Sequence, residues 1–296
     1  MTPLFYLGAP APGWLERAGV PLFVSDTRLR VYKRLPRAVA RWACDSGGFT
    51  QLKQHGRWTI PPREYVDRVR RYRDEIGMLD WAAPQDMMCE SIIINGGVAN
   101  GQRYVGTRRF LDPNGRLTEQ QMVRLHQRFT VLNVAQLREL APDLNIITVV
   151  QGQYPEDYMY CKELYWQLAG IDLTREPLVG VGSVCRRQGM DEAGQILQAL
   201  HDVGLTRLHG FGFKLTGLRE HGHLTVSDDS MAWSFVARRL QRPALPECIG
   251  GPHKNCANCF RWAMHWRRFA LIAASGRHHR RPAAARRALH TVPAVA

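Results

Sequence analysis

The chain has 296 residues, 45% hydrophobic and 22% charged, which excludes wholesale disorder and leaves room for one large domain or two small ones. Its formal charge is +14, and 35 of the 40 basic residues are arginine, the better bidentate partner for phosphate. A nucleic-acid partner and the codon bias of a GC-rich genome account for that excess equally well. No run of 18 apolar residues occurs, so no helical membrane span is expected. The first stretch is broken by Pro, Gly and Glu16 and lacks a signal-peptide pattern, so a cytoplasmic protein is expected.

In chain order, short apolar runs read as strands at Leu4–Leu7, Pro21–Val24, Trp42–Cys44, Met78–Trp81, Ile146–Val150, Leu178–Val181, Arg207–Phe211 and Leu224–Val226. Several are apolar throughout, as in a parallel sheet covered on both faces. Helical patterns lie at Pro61–Ile76, Thr118–Leu140, Pro155–Ala169, Asp191–Val203 and Ser230–Leu240, the second opening on a Thr118/Gln121 capping box. Eight strands alternating mostly with helices predict an α/β fold, a (β/α)8 TIM barrel over residues 1–240. Ser91–Leu117 shows no clear periodicity and reads as a long loop. Residues 241–275 carry a cysteine cluster and are expected to form a zinc-binding subdomain packed on the barrel. Residues 276–296 hold five Arg, three His and no acid, the composition of a disordered basic tail. Without that tail the chain still carries a net +9.

Polar residues fall at the ends of the predicted strands. Asp45 ends the third, Asp86 follows the fourth, Gln151 ends the fifth, Gly182-Ser183 the sixth and Gly212 the seventh, and Asp229 follows the eighth. In a barrel all of these converge on the C-terminal face, where active sites are built. In Asp45-Ser46-Gly47-Gly48-Phe49, an acid closes a buried strand, two glycines allow close backbone approach, and an aromatic could stack on a planar ring. A carboxylate at Asp86 can accept from the N–H edge of a purine-like ring, and Gln151 supplies a donor and an acceptor together. Asp228 and Asp229 precede a helix, where an acid is placed either to cap it or to attack an electrophile. Chemistry alone does not choose between the two.

The pattern Cys248-x7-Cys256-x2-Cys259-x5-His265 offers three thiolates and an imidazole, the donor set of a closed structural zinc site, with His253 a competing fourth ligand.

Taken together, Asp-Ser-Gly-Gly-Phe at 45–49, the acid at Asp86, Val-Gln-Gly at 150–152, the glycine strand at 180–183, Asp229 and the late zinc cluster resemble the tRNA-guanine transglycosylase superfamily. Val-Gly-Ser-Val-Cys-Arg-Arg at 181–187, His-Gly-Phe-Gly at 209–212 and Asp-Ser-Met-Ala-Trp-Ser at 229–234 are most similar to its DpdA branch, which in phages and bacteria exchanges guanine in DNA for a 7-deazaguanine such as 7-cyano-7-deazaguanine. The resemblance implies a pentosyltransferase on a (β/α)8 barrel with structural zinc, in a bacterial cell or phage-infected host. It assigns Asp229 as nucleophile and Asp45 as general acid/base. Ser46, Phe49, Asp86, Gln151, Gly182 and Ser183 would then bind the guanine and the free 7-deazaguanine base. Arg186 and Arg187 are the expected DNA contacts, with Arg63–Arg73 and Arg103–Arg116 as further candidates. The alternatives are a transglycosylase acting on tRNA and an inactive, zinc-containing nucleic-acid-binding protein. Gln153 in place of a second glycine after Val-Gln-Gly, and the absence of an added RNA-binding domain, count against tRNA.

Overall fold

The computed structural model describes residues 4–184 and 191–275. Arg186, Arg187 and the predicted tail at 276–296 lie outside the described residues. The strands are β1 (Leu4–Gly8), β2 (Leu22–Ser25), β3 (Trp42–Asp45), β4 (Leu79–Ala82), β5 (Gly97–Ala99), β6 (Gln102–Tyr104), β7 (Thr148–Val150), β8 (Val179–Val181), β9 (Leu208–Gly210) and β10 (Ser227–Ser230). Eight of them form one parallel sheet in the order β4-β3-β2-β1-β10-β9-β8-β7. The sheet curls, so that its two edges meet at a parallel bridge between Ala82 and Ile146. Backbone bonds from Ala82 N to Asn145 O (2.9 Å) and from Ile147 N to Ala82 O (3.1 Å) hold that contact.

The helices are α1 (Asp26–Leu29), α2 (Gly48–His55), α3 (Pro62–Ile76), α4 (Ser91–Asn95), α5 (Arg108–Leu111), α6 (Glu119–Leu140), α7 (Pro155–Ala169), α8 (Asp191–Asp202), α9 (Leu215–His221), α10 (Ala232–Leu240) and α11 (Phe260–Ala274). In α3, Pro at the first turn starts the helix, and Tyr65, Val66, Val69, Tyr72 and Ile76 form one buried face. The capping box at α6 is present: Gln121 N donates to Thr118 Oγ1 at 3.2 Å, and Thr118 N donates to Gln121 Oε1 at 2.8 Å.

Side chains alternate across the curled sheet. Outward residues such as Leu7, Val24, Cys44, Val150 and Val181 pack with α3, α6, α7 and α8 in the main core. Inward residues Tyr6, Trp81, Ile147 and Val149, flanked by Phe23 and Phe211, form a smaller apolar plug. The residue two places beyond an inward plug residue also points inward, one layer nearer the C-terminal mouth. By that rule Ala43 leads to Asp45, Val149 to Gln151, Gly180 to Gly182 and Ser227 to Asp229.

Two sequence expectations need correction. The last strand is not Leu224–Val226 but Ser227–Ser230, in register with Leu4–Leu7 of β1. Leu224 belongs to a short 3-10 turn. Hydrophobicity misplaces this strand because its own residues, Ser-Asp-Asp-Ser, are polar and yet buried. Ser91–Leu117 is also no structureless loop, since it carries α4, α5 and the β5–β6 hairpin. That hairpin turns through Asn100 and Gly101, both at positive φ (51° and 69°), a two-residue turn that Asn-Gly favours.

The C-terminal segment joins the main core through Cys248, Cys256, Trp262, Ala263, Trp266 and Ala270. Helix α11 packs on α9 and β1, with Phe5 and Trp266 ring centroids 6.1 Å apart. Among the described residues no helix is long and apolar enough to cross a membrane.

Candidate active site

Because the sheet is parallel, the C-terminal ends of its strands share one edge, and the inward polar residues gather there. Asp45 closes β3, half-buried. Burial raises its carboxyl above the ordinary range; hydrogen bonds from Ser25 and Gly47 oppose the rise, and the charges of Asp229 and Asp26 add to it. Gly47, at φ +80°, caps α2 in the left-handed region, and a Cβ there would lie 2.6 Å from the Thr27 methyl. Ser46 is buried. Phe49 stands partly exposed on α2, its ring edge-on to Tyr104 at 6.1 Å.

Asp86 is buried, and burial pushes its carboxyl up to about 7, with the Asp45 charge adding and a Gln151 hydrogen bond opposing. The Gln151 amide Nε2 donates to Asp86 Oδ2, and Gln151 Oε1 accepts from Ser183 Oγ at 2.6 Å. This fixes which way round the amide sits. Ser183 Oγ also lies 3.0 Å from Glu90 Oε2 and accepts from Cys89 N at 2.9 Å. Its backbone is at φ +58°, a conformation a non-glycine residue holds only under constraint. A Cβ at Gly182 would lie 2.2 Å from Gln151 Nε2, so only glycine leaves room for the amide. Both polar groups of Gly182 are engaged, the N–H with Val150 O at 3.0 Å and the carbonyl with the Tyr158 hydroxyl at 2.7 Å. The contribution of Gly182 is therefore space.

Asp229 points inward from β10 and is 5% exposed. Its Oδ1 accepts from Gly212 N at 2.9 Å and lies 3.4 Å from His209 Nε2. Its neighbour Asp228 points the other way, where Thr225 Oγ1 donates to it at 2.8 Å, and burial raises its carboxyl well above the ordinary range.

Sequence reasoning passed over a supporting layer. His126, lowered to about 4 by burial, donates from Nδ1 to Met88 O at 2.7 Å and meets Thr107 Oγ1 at 2.7 Å through Nε2. Gln153 Nε2 donates to Cys89 O (2.8 Å) and Glu119 Oε1 (2.9 Å), and Trp58 Nε1 donates to Asp86 O (3.1 Å). Together they hold the segment from Asp86 to Glu90 at the mouth. No short motif marks these residues, because their partners lie on distant segments of the chain.

The α3 arginines expected as phosphate contacts are mostly paired within the protein. Arg68 binds Asp26 and Glu64, Arg70 binds Asp67 and Asp143, Arg71 binds Glu75, and Arg73 binds Asp74 and Asp143. Beside the mouth, the 91–117 segment presents Arg103, Arg109 and Arg116 exposed, and Arg57 stacks over Phe110 at 4.9 Å.

Away from the mouth, Cys248, His253, Cys256 and Cys259 bring their ligand atoms within 4.8 Å of one another. Cys248 and Cys259 Sγ atoms are 3.8 Å apart, far beyond disulfide length, and Cys256 Sγ is 3.5 Å from His253 Nε2. Tetrahedral ligands at ordinary metal–sulfur and metal–nitrogen lengths stand about 3.6–3.8 Å apart, so the four residues could hold a metal ion. Ala244 N donates to Cys256 Sγ at 3.2 Å, a contact suited to a thiolate. The fourth member corrects the spacing-based expectation: His265, on α11, packs instead against Trp262 (5.9 Å) and Phe269 (5.0 Å). The loop folds back through Pro252, bringing His253 to the thiols, whereas His265 projects from the side of a helix.

Over residues 1–292 the sequence matches the family DpdA, described as DeoxyPurine in DNA protein A. No curated protein matches it.

Proposed function

The chain belongs to the DpdA family, and from that premise we propose that it is a DNA-guanine transglycosylase, a pentosyltransferase exchanging guanine in DNA for a 7-deazaguanine base. The observation that carries this reading is the pairing of two inward carboxyls at one mouth. Asp45 is raised toward the protonated state, and Asp229 is held through Oδ1 by a backbone N–H. Base exchange needs one carboxyl to attack and another to carry a proton. Asp229 attacks C1′, the C1′–N9 bond breaks, and Asp45 gives its proton to the departing guanine. The incoming base then returns a proton to Asp45 as its N9 displaces Asp229 from C1′, which restores both carboxyls.

Asp86 and Gln151 read the guanine-like edge, with Ser183 fixing the amide; Ser46 and Phe49 line the same mouth. The target nucleotide has to leave the duplex to reach these groups. Arg57, Arg103, Arg109 and Arg116 supply phosphate contacts beside the mouth; Arg186 and Arg187, outside the described residues, are further DNA contacts expected from the sequence. The curled sheet is read as a (β/α)8 barrel closed at the Ala82–Ile146 bridge, with 241–275 as its metal-bearing subdomain. Zinc at Cys248, His253, Cys256 and Cys259 is structural, tying the loop to the start of α11.

The test is incubation of the protein with labelled guanine and either DNA or tRNA. Label entering DNA supports the reading, label entering tRNA alone overturns the choice of polymer, and label in neither overturns the activity.

A further inference from the structure

His209 lies on β9 directly beneath Asp229 and is fully buried. Trp81 and Phe211 meet its ring edge-on, both at 4.7 Å, and Tyr6 and Phe23 lie at 6.1 Å. An imidazole so enclosed cannot turn away. Its Nδ1 is 2.8 Å from Ser227 Oγ, while its Nε2 is buried without a hydrogen bond at normal geometry and faces Asp229 Oδ1 at 3.4 Å.

We propose that His209 is a positioning residue that, with the Gly212 N–H, fixes Asp229 Oδ1 and so selects Oδ2 as the oxygen that bonds C1′. The inference rests on the reading of Asp229 as nucleophile. A nitrogen facing a carboxylate carries the hydrogen, so Nε2 is the N–H and Nδ1 accepts from the Ser227 hydroxyl. Ser227 and Asp229 are alternate residues of β10 on the same inward face, so one strand sets both the tautomer and the group it serves.

The chemistry follows from which oxygen is held. In the first half, Oδ2–C1′ forms as C1′–N9 breaks, and Oδ1 becomes the carbonyl oxygen of the glycosyl ester. In the second half, N9 of the incoming base bonds C1′, C1′–Oδ2 breaks, and the electron pair returns to the carboxylate. Negative charge then grows on Oδ1 against two N–H donors. Donors placed where charge develops speed that step. His209 therefore acts mainly on departure from the covalent intermediate.

The experiment compares wild type, His209→Phe, His209→Gln and Ser227→Ala in guanine exchange into DNA, reading kcat, KM and the fraction of protein trapped as covalent DNA adduct. Phe keeps the ring and loses the N–H, so kcat falls about 10–100-fold, KM for DNA is unchanged, and the adduct fraction rises. Gln places an amide N–H near the Nε2 position and restores much of the rate. Ser227→Ala shifts kcat and adduct in the same direction by less, and it reads the same contact should the Phe variant fail to fold. Unchanged kcat and adduct fraction in folded Phe and Ala variants, or equal impairment of Phe and Gln, overturns the inference. A wild type that neither exchanges guanine nor forms an adduct overturns the nucleophile reading instead, and this inference falls with it.

Discussion

Asp228 and Asp229 are consecutive residues of one strand, and the two faces of the sheet treat them differently. Asp228 faces outward into the layer between sheet and helices, where burial, with the Asp229 charge adding, raises its carboxyl well above the ordinary range. Asp229 faces inward, where Gly212 and His209 attend a single oxygen and the other stays available. The same division runs around the sheet. Several outward polar groups are engaged by structure: Asp26 binds Tyr72 and Arg68, the Tyr65 hydroxyl binds Ala83 O, and Asp228 accepts from Thr225 Oγ1. Inward ones are oriented but not used up. On the proposed reading, the candidate site is a question of strand parity as much as of residue type.

The sharpest way to break the comparison is to exchange the two acids for their amides. Asp229→Asn should reduce guanine exchange by about 10⁴-fold or more, the scale seen when a nucleophile is lost. Asp228→Asn, a near-isosteric change on the outward face, should leave exchange within a few-fold of wild type and stability within about 1 kcal/mol. Next in size is Gly182→Ala. Its Cβ would fall 2.2 Å from Gln151 Nε2, displacing the amide and lowering kcat/KM for the free base by about 100-fold, while the fold stays intact by circular dichroism.

Away from the sheet, a loop rather than a strand brings together Cys248, His253, Cys256 and Cys259, which could hold a metal ion. His253→Ala should lower bound metal by elemental analysis and cost several degrees in Tm, and chelation should do the same to the wild type. His265→Ala should leave metal content unchanged.

The smallest effect concerns pH. Burial raises the Asp86 carboxyl to about 7 from an ordinary 3.8. Between those values the folded state binds more protons than the unfolded chain, so this group's contribution to stability declines as pH rises through that window. Asp86→Asn removes the titration. Urea unfolding should find it about 1–2 kcal/mol more stable than wild type at pH 8 and no more stable at pH 4.

The sequence made much of this legible. Seven of the eight predicted sheet strands overlap those observed, because runs such as Ile146–Val150 and Leu178–Val181 are apolar on both faces. The eighth failed because its residues, Ser-Asp-Asp-Ser, are polar and yet buried, so hydrophobicity looks elsewhere. The β5–β6 hairpin had a signal in Asn100-Gly101, hidden by strands only three residues long. Asp45, Asp86, Gln151 and Asp229 could be found because strand ends carry them. His209 could not, since its meaning lies in a 3.4 Å contact with a neighbouring strand, and His253 became visible only when the loop closed on the thiols.

The most direct measurement is to trap the protein on guanine-containing DNA, digest it, and map the deoxyribosyl adduct by mass spectrometry. One modified carboxylate, Asp229 on the inward face, is the expected result. An adduct on Asp228, or turnover of DNA guanine without any adduct, would contradict it.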